Sequence, residues 1–385
     1  MRKLFQQQRA LFFYLIASSF LLNFGHRIWQ AMFNNFAVEK IGVGPEAIGW
    51  IQSVRELPGL LAFATAFLAL VLSELRIMAL SLVLLGIGLI LTGQATTIPI
   101  VLVATIVMSF GFHFFEPCSN GVILMSIDRE ESPKVLGQLR SLGAIAALSA
   151  TVVVYLLVDR LGYRALFLVV GAAVAVGGAI LFFRSRGEHG LPQRRRIRLR
   201  KRYWLFYTLA FLMGSRRHIF TTFAPFLLVL THGVNVQTMS ILFLVNALVN
   251  TYVYQKVGKL VPKLGERTIL TIAFAVLIPV FLGYAFINYL PLLFALFVVD
   301  NMLFGFNLSL TTYLQKIAVT PEELTSNLSA QTTINHVSAV VVPIVGGTVW
   351  ALLGSQATFL IGVGIAVVSL LFAQWIRIPA ASPQQ

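Results

Sequence analysis

Twelve apolar stretches, each long enough to cross about 30 Å of hydrocarbon, constrain this chain more than any motif does. They fall at about 10–36, 47–72, 76–95, 99–127, 134–158 and 164–183, then at about 203–230, 237–257, 268–287, 290–318, 324–350 and 357–375. In lipid a spanning segment must satisfy its own backbone hydrogen bonds, so each stretch is predicted to be a helix. The expected fold class is therefore an all-α polytopic membrane protein of about 12 transmembrane helices. Only 11% of the 385 residues are charged and the mean hydropathy is +0.85, a surface that no soluble domain of this size carries.

The stretches form two sets of six, which predicts an N-terminal six-helix bundle (1–183), a basic linker (184–202) and a C-terminal six-helix bundle (203–385). The linker carries Arg194, Arg195, Arg196, Arg198, Arg200, Lys201 and Arg202, and Gly190 and Pro192 interrupt any helix there. With the amino terminus inside, Lys40, Arg160 and Arg164 fall outside, five arginines fall within spans, and the other 21 of the 29 Lys and Arg residues are cytoplasmic. That asymmetry predicts cytoplasmic termini in a bacterial inner (plasma) membrane. The basic excess is thus topological, with anionic lipid head groups as its partners rather than nucleic acid. Residues 1–9 run into the first span without a small-residue cleavage signal. Cys118 is the single cysteine, so no intrachain disulfide forms.

The two sets match each other. Gly111-Phe112-His113 aligns with Gly305-Phe306-Asn307, and Asp128-Arg129-Glu130 falls opposite Glu322-Glu323-Leu324. Gly162-Tyr163-Arg164-Ala165-Leu166-Phe167-Leu168 aligns with Gly354-Ser355-Gln356-Ala357-Thr358-Phe359-Leu360. Spans one and seven align without gaps, placing Arg27 opposite Arg217, Phe33 opposite Phe223 and Phe36 opposite Phe226. A parallel duplication explains the shared order, and parallel halves place a substrate site at the midplane between them.

The segment Gly258-Lys259-Leu260-Val261-Pro262-Lys263-Leu264-Gly265-Glu266-Arg267 resembles the signature that the major facilitator superfamily repeats between spans two and three and between eight and nine. Pro262 stands where that signature has an acid, and the first copy is reduced to Ser73-Glu74-Leu75-Arg76. The resemblance implies two pseudo-symmetric six-helix bundles and secondary transport by alternating access.

An ionisable group at mid-bilayer costs at least about 2.5–3.5 kcal/mol, so such groups mark a polar cavity or mutual partners. The spans hold Arg27, Arg55, Arg140, Arg216 and Arg217 against Glu56, Glu116 and Asp300, with His26, His113, His218 and His336 besides. Arg27 and Arg217 are expected to hold an oxyanion bidentately, with His26, Arg216, His113, Asn246, Asn335 and His336 as further substrate-binding candidates. A structural alternative pairs Arg27 with Glu56 and Arg217 with Asp300. Glu56, Arg55, Glu116, Asp300 and Arg140 are the candidates for proton coupling or gating. In span four, His113, Glu116 and Asn120 share a helical face, with Pro117 between them, so His113 and Glu116 can form a titrating pair. Span two carries Gln52, Arg55 and Glu56 ahead of Pro58-Gly59, where an Arg55–Glu56 salt bridge is the favoured reading. Asn246, Asn250 and Tyr254, and Thr332, Asn335 and His336, form polar stripes at helical spacing.

The arginine pair resembles that of the organophosphate:phosphate antiporters of the superfamily. Their histidine in span five has no counterpart, the nearest basic residue being Arg140. An organic phosphate or a carboxylate is therefore the expected small-molecule substrate, moved by a monomer and driven by a proton or counter-substrate gradient. Efflux of amphipathic drugs or lipids is the competing function. An intramembrane enzyme acting on lipid head groups lacks a nucleophile with its base. No phosphate-binding Gly-x-x-x-x-Gly-Lys motif and no metal-ligand spacing is present, so neither ATP, cofactor nor metal is expected.

Overall fold

The computed structural model describes residues 2–127, 131–185 and 200–378. The loop Asp128-Arg129-Glu130 and the linker residues 186–199, including Arg194, Arg195, Arg196 and Arg198, lie outside the described residues. All regular structure among the described residues is helical.

The first helices are α1 (Arg2–Phe36), α2 (Pro45–Leu60), α3 (Glu74–Gln94) and α4 (Ile98–Ser126). The segment Ser132–Arg184 breaks at Gly162, where φ is 75° and ψ 166°, giving α5 (132–161) and α6 (163–184). There follow α7 (Trp204–Leu230), α8 (Val236–Leu264) and α9 (Glu266–Phe286). Then come α10 (Leu290–Ile317), with a 3-10 stretch at Leu303–Asn307, α11 (Pro321–Leu353) and α12 (Ser355–Ala373).

Among the described residues, nine continuous helices are long and apolar enough to span a membrane. Ser132–Arg184 accounts for two spans. Two helices fall short on their own for chemical reasons. α2 carries Pro58 and stops after 16 residues, the chain continuing through the short turns Ala62–Ala64 and Thr65–Leu68. The run Arg216-Arg217-His218 lowers the hydropathy of α7.

The duplication is visible in the backbone. Gly354, the counterpart of Gly162, has φ 87° and ψ 166°, and both glycines separate the last two helices of their half. That region is essentially glycine-only and costs any other residue about 1–3 kcal/mol.

The described chain divides into two compact units: residues 2–43, 54–185 and 235–241 in one, and 44–53, 200–234 and 242–378 in the other. In the first, α3 packs on α4 and α6, and α1 on α6. Lipid tails are as apolar as leucine, so close backbone approach replaces the hydrophobic effect in holding these helices. At Gly86 the backbone of α6 passes so near that an added Cβ would meet Gly171 O and, at 2.5 Å, Ala175 N. The rings of Phe36 and Phe167 meet edge-on, 5.5 Å between centroids.

In the second unit α9 packs on α12, and α7 on α11 and α12. Trp350 lies 5.9 Å from Phe223, 5.6 Å from Phe226 and 6.1 Å from Phe359, ring centre to ring centre. Phe226 and Phe359 are the counterparts of Phe36 and Phe167, so both copies bury aromatics at the same places. The segment 258–267 forms the end of α8, the turn at Gly265 (φ 79°) and the first residues of α9. There the fully buried Glu266 carboxylate meets Lys316 Nζ at 2.6 Å. Arg200 Nη1 and the Tyr203 hydroxyl both engage the Glu323 carboxylate, the former at 2.5 Å, fixing the start of α7 to the start of α11.

Candidate functional site

Among the described residues, each unit holds an ionic cluster built from residues within its spans. In the first, Arg55 donates through Nε (3.2 Å) and Nη2 (2.7 Å) to Glu56 Oε1, and the other carboxylate oxygen lies 3.9 Å from His113 Nε2. The guanidinium sits over the Trp29 ring, 5.6 Å from its centroid, and Ser109 Oγ donates to Arg55 O. One turn of α1 earlier, the His26 ring stacks on Phe112 at 3.9 Å. Thus α1, α2 and α4 bring together His26, Arg55, Glu56 and His113. Glu56 thus brings a carboxylate to His113, and Glu116 is exposed three residues along α4.

In the second unit the buried Arg216 places Nη1 3.3 Å from Asp300 Oδ1, and Nη2 donates to Asp300 O at 3.4 Å. Its guanidinium lies 4.4 Å from the centre of the Phe304 ring. Beside Asp300, Asn301 accepts from Asn250 Nδ2 at 2.6 Å. Asn246, one turn earlier on α8, is 4% exposed, and both of its amide atoms are buried without a hydrogen-bond partner among the described residues. Arg216, the neighbour of Arg217, thus lies at ion-pair distance from Asp300.

Arg217 itself is exposed, and Arg27 at the equivalent place in α1 is half-buried. Asn335 and His336 are half-buried on α11. Asn335 stands beside α7, since a Cβ at Gly214 would lie 3.2 Å from its Oδ1. Arg140 is exposed on α5 and Asn120 on α4.

Sequence reasoning did not single out Tyr284, whose buried hydroxyl on α9 interacts electrostatically with Asp300 and Arg216. A lone tyrosine in an apolar helix carries no periodic signal. Asn301 could have been found as the neighbour of Asp300, and Trp29 carried no signal of its own as the ring beneath Arg55. Among the described residues no cluster of three or more His, Cys, Asp or Glu side chains is placed to hold a metal.

A polar cluster buried within each of two repeated helical units suits a solute carrier, and the family model for the Major Facilitator Superfamily matches residues 11–335. The chain belongs to that superfamily. It is an integral membrane transporter of small molecules, not an enzyme. No curated protein sequence matches this superfamily member. Solved structures share its fold: a mutant of the nucleoside transporter NupG has a TM-score of 0.77 at 19% identity, covering 95% of this chain and 99% of that one. A bacterial homologue of the human lysosomal transporter Spinster, solved inward-facing and occupied, has a TM-score of 0.79 at 14% identity, covering 97% and 99%.

Proposed function

We propose that this transporter moves a small anionic solute, an organic phosphate or carboxylate, by alternating access of the halves 1–183 and 203–385. In this reading the termini and the linker face the cytoplasm of a bacterial cell, the protein works as a monomer, and a proton or counter-substrate gradient drives it. The observation that carries it is the charge balance of the spans: five arginines against three carboxylates, of which Glu56 and Asp300 each lie beside an arginine of their own unit. Arg27 and Arg217 stand at matching positions of α1 and α7, and ionisable groups within spans mark substrate pathways. Their guanidinium forks suit a phosphate or carboxylate group. His26, His113, Asn246, Asn335 and His336 would bind the remainder of the solute.

Thermal unfolding of the purified protein tests this against a panel of solutes in charged and uncharged pairs, including nucleosides and their phosphates. A phosphorylated or carboxylated member is expected to raise the midpoint where its uncharged partner does not, by about 2.7 kcal/mol of linkage at a hundred times its Kd. Arg27→Gln and Arg217→Gln should each weaken binding by about 1.5–3 kcal/mol, the worth of a hydrogen bond to a charged group. Equal stabilisation by the uncharged partners, or undiminished shifts in both variants, would contradict the reading.

A further inference from the structure

Several polar side chains of these helices are satisfied by the backbone one turn earlier. Asn23 of α1 and Asn327 of α11 donate Nδ2 to Ser19 O at 2.8 Å and to Glu323 O at 2.7 Å. On α8, Ser240 and Thr251 do the same through their hydroxyls. Asn246 makes no such bond to Leu242 O. Its Nδ2 and Oδ1 are both buried without a partner among the described residues, on a residue 4% exposed. A buried amide left in this way has given up its hydration with nothing in return, whereas the large majority of buried polar groups in folded proteins are paired.

Two contacts bracket Asn246 along α8. The Phe243 ring lies 6.1 Å from that of Phe297, and Asn250 Nδ2 donates to Asn301 Oδ1 at 2.6 Å. Asn246 follows Phe243 by three residues and precedes Asn250 by four, so all three share the face of α8 that is turned to residues 297–301 of α10. Phe220 of α7 joins the group, its ring 5.0 Å from Phe297 and 5.5 Å from Phe304. The Arg216 guanidinium, 4.4 Å from the Phe304 ring centre, ties these rings to the neighbour of Arg217. Flat aromatic groups thus lie close to an unpaired amide donor and an unpaired amide acceptor.

We propose that Asn246 recognises an amide edge on the transported solute, so that the substrate is an anion bearing a carboxamide or lactam group. The inference deepens the anionic-substrate reading above and rests on it for the charge of the solute. An amide edge presents a donor and an acceptor side by side. Its N–H donates to Asn246 Oδ1 and its C=O accepts from Asn246 Nδ2, which satisfies both orphaned atoms at once. The faces of Phe220 and Phe297 suit the planar group. A solute with a methyl group in place of the N–H leaves Oδ1 buried and unpaired, so the site rejects it rather than merely missing a contact. Closure of the carrier around the solute removes both amides from water, which strengthens the correct pair and worsens the incorrect one.

The test titrates the purified full chain with matched pairs of solutes and reads Kd from the shift of the thermal midpoint in one detergent. Succinamate and levulinate have the same shape, with an amide NH2 in the first where the second has a methyl group. A pyridone carboxylate is compared in the same way with its N-methyl derivative. Wild type should bind the amide member of each pair about ten- to a hundredfold more tightly. Asn246→Leu, which fills nearly the same space without a polar atom, should bind both members of a pair with equal affinity.

Equal affinity within both pairs in wild type, or binding of no member, would overturn the proposal, as would a preference that survives in Asn246→Leu. Should Asn246→Leu not fold, Asn246→Ala decides: loss of the preference supports the proposal and its retention overturns it. The uncharged pair, pyridone and N-methylpyridone, separates this inference from the reading it rests on. An amide preference to which the carboxylate adds no affinity is the failure of the anionic-substrate reading. Affinity gained from the carboxylate with no amide preference is the failure of this one.

Discussion

Gly86→Leu is expected to prevent assembly of the first unit. Gly86 is buried on α3 where α6 crosses, and even a methyl group there would meet the backbone at Gly171 and Ala175. Backbone atoms cannot rotate aside as a side chain can, so α3 and α6 must separate and give up the contacts on either side of the crossing. Overpacking of a core costs about 1–3 kcal/mol where side chains can shift and more where they cannot. The expected outcome is loss of monodisperse protein after extraction, or a thermal midpoint far below wild type. Gly364→Leu is the control, because nothing lies within 4 Å of a Cβ on that exposed glycine of α12. Equal yield and midpoint in the two variants would show that the α3–α6 approach does not hold the bundle.

Glu56→Gln carries the second large effect. Arg55 would keep its charge, with its side chain only 18% exposed and the 10% exposed Glu56 carboxylate gone. Removing one partner of a buried ion pair costs about 3–5 kcal/mol because the other charge is left uncompensated, and the partial exposure of Arg55 brings the figure to the lower end. Removing both charges should restore most of that stability, so the double variant Arg55→Gln, Glu56→Gln is expected to unfold closer to wild type than Glu56→Gln does. The two midpoints, measured in the same detergent, decide it. A double variant as unstable as the single one would mean that the shape of the pair matters rather than its charge.

The spans were legible from hydropathy because apolar length is what a bilayer selects. Their ends were less so. α8 runs to Leu264 through Lys256, Lys259 and Lys263, since a helix continues past the hydrocarbon edge wherever its backbone bonds are cheaper kept than broken. Hydropathy placed residues 159–163 between the fifth and sixth stretches, whereas the chain turns there at the single residue Gly162, as it does at Gly354 in the other half. The short π-helix Ala37–Ile41 after α1 left no trace in composition.

The membrane-embedded charges were legible individually, but their partners were not. Arg216 and Arg217 are adjacent and point about 100° apart around α7, so which one meets Asp300 depends on how packing rotates the helix. His113 was within reach of Glu116 on its own helix, and the fold brings Glu56 of α2 to it. Long-range pairs of this kind depend on tertiary packing that a single sequence does not display.

The measurement closest to the central claim is counterflow in proteoliposomes of the purified chain, screening organic phosphates, carboxylates and their uncharged counterparts with wild type, Arg27→Gln and Arg217→Gln side by side. The account predicts that an anion accumulates transiently in wild-type vesicles and that either substitution abolishes this while the protein stays folded. Counterflow of uncharged amphipathic solutes alone, or normal anion counterflow in both variants, would contradict it.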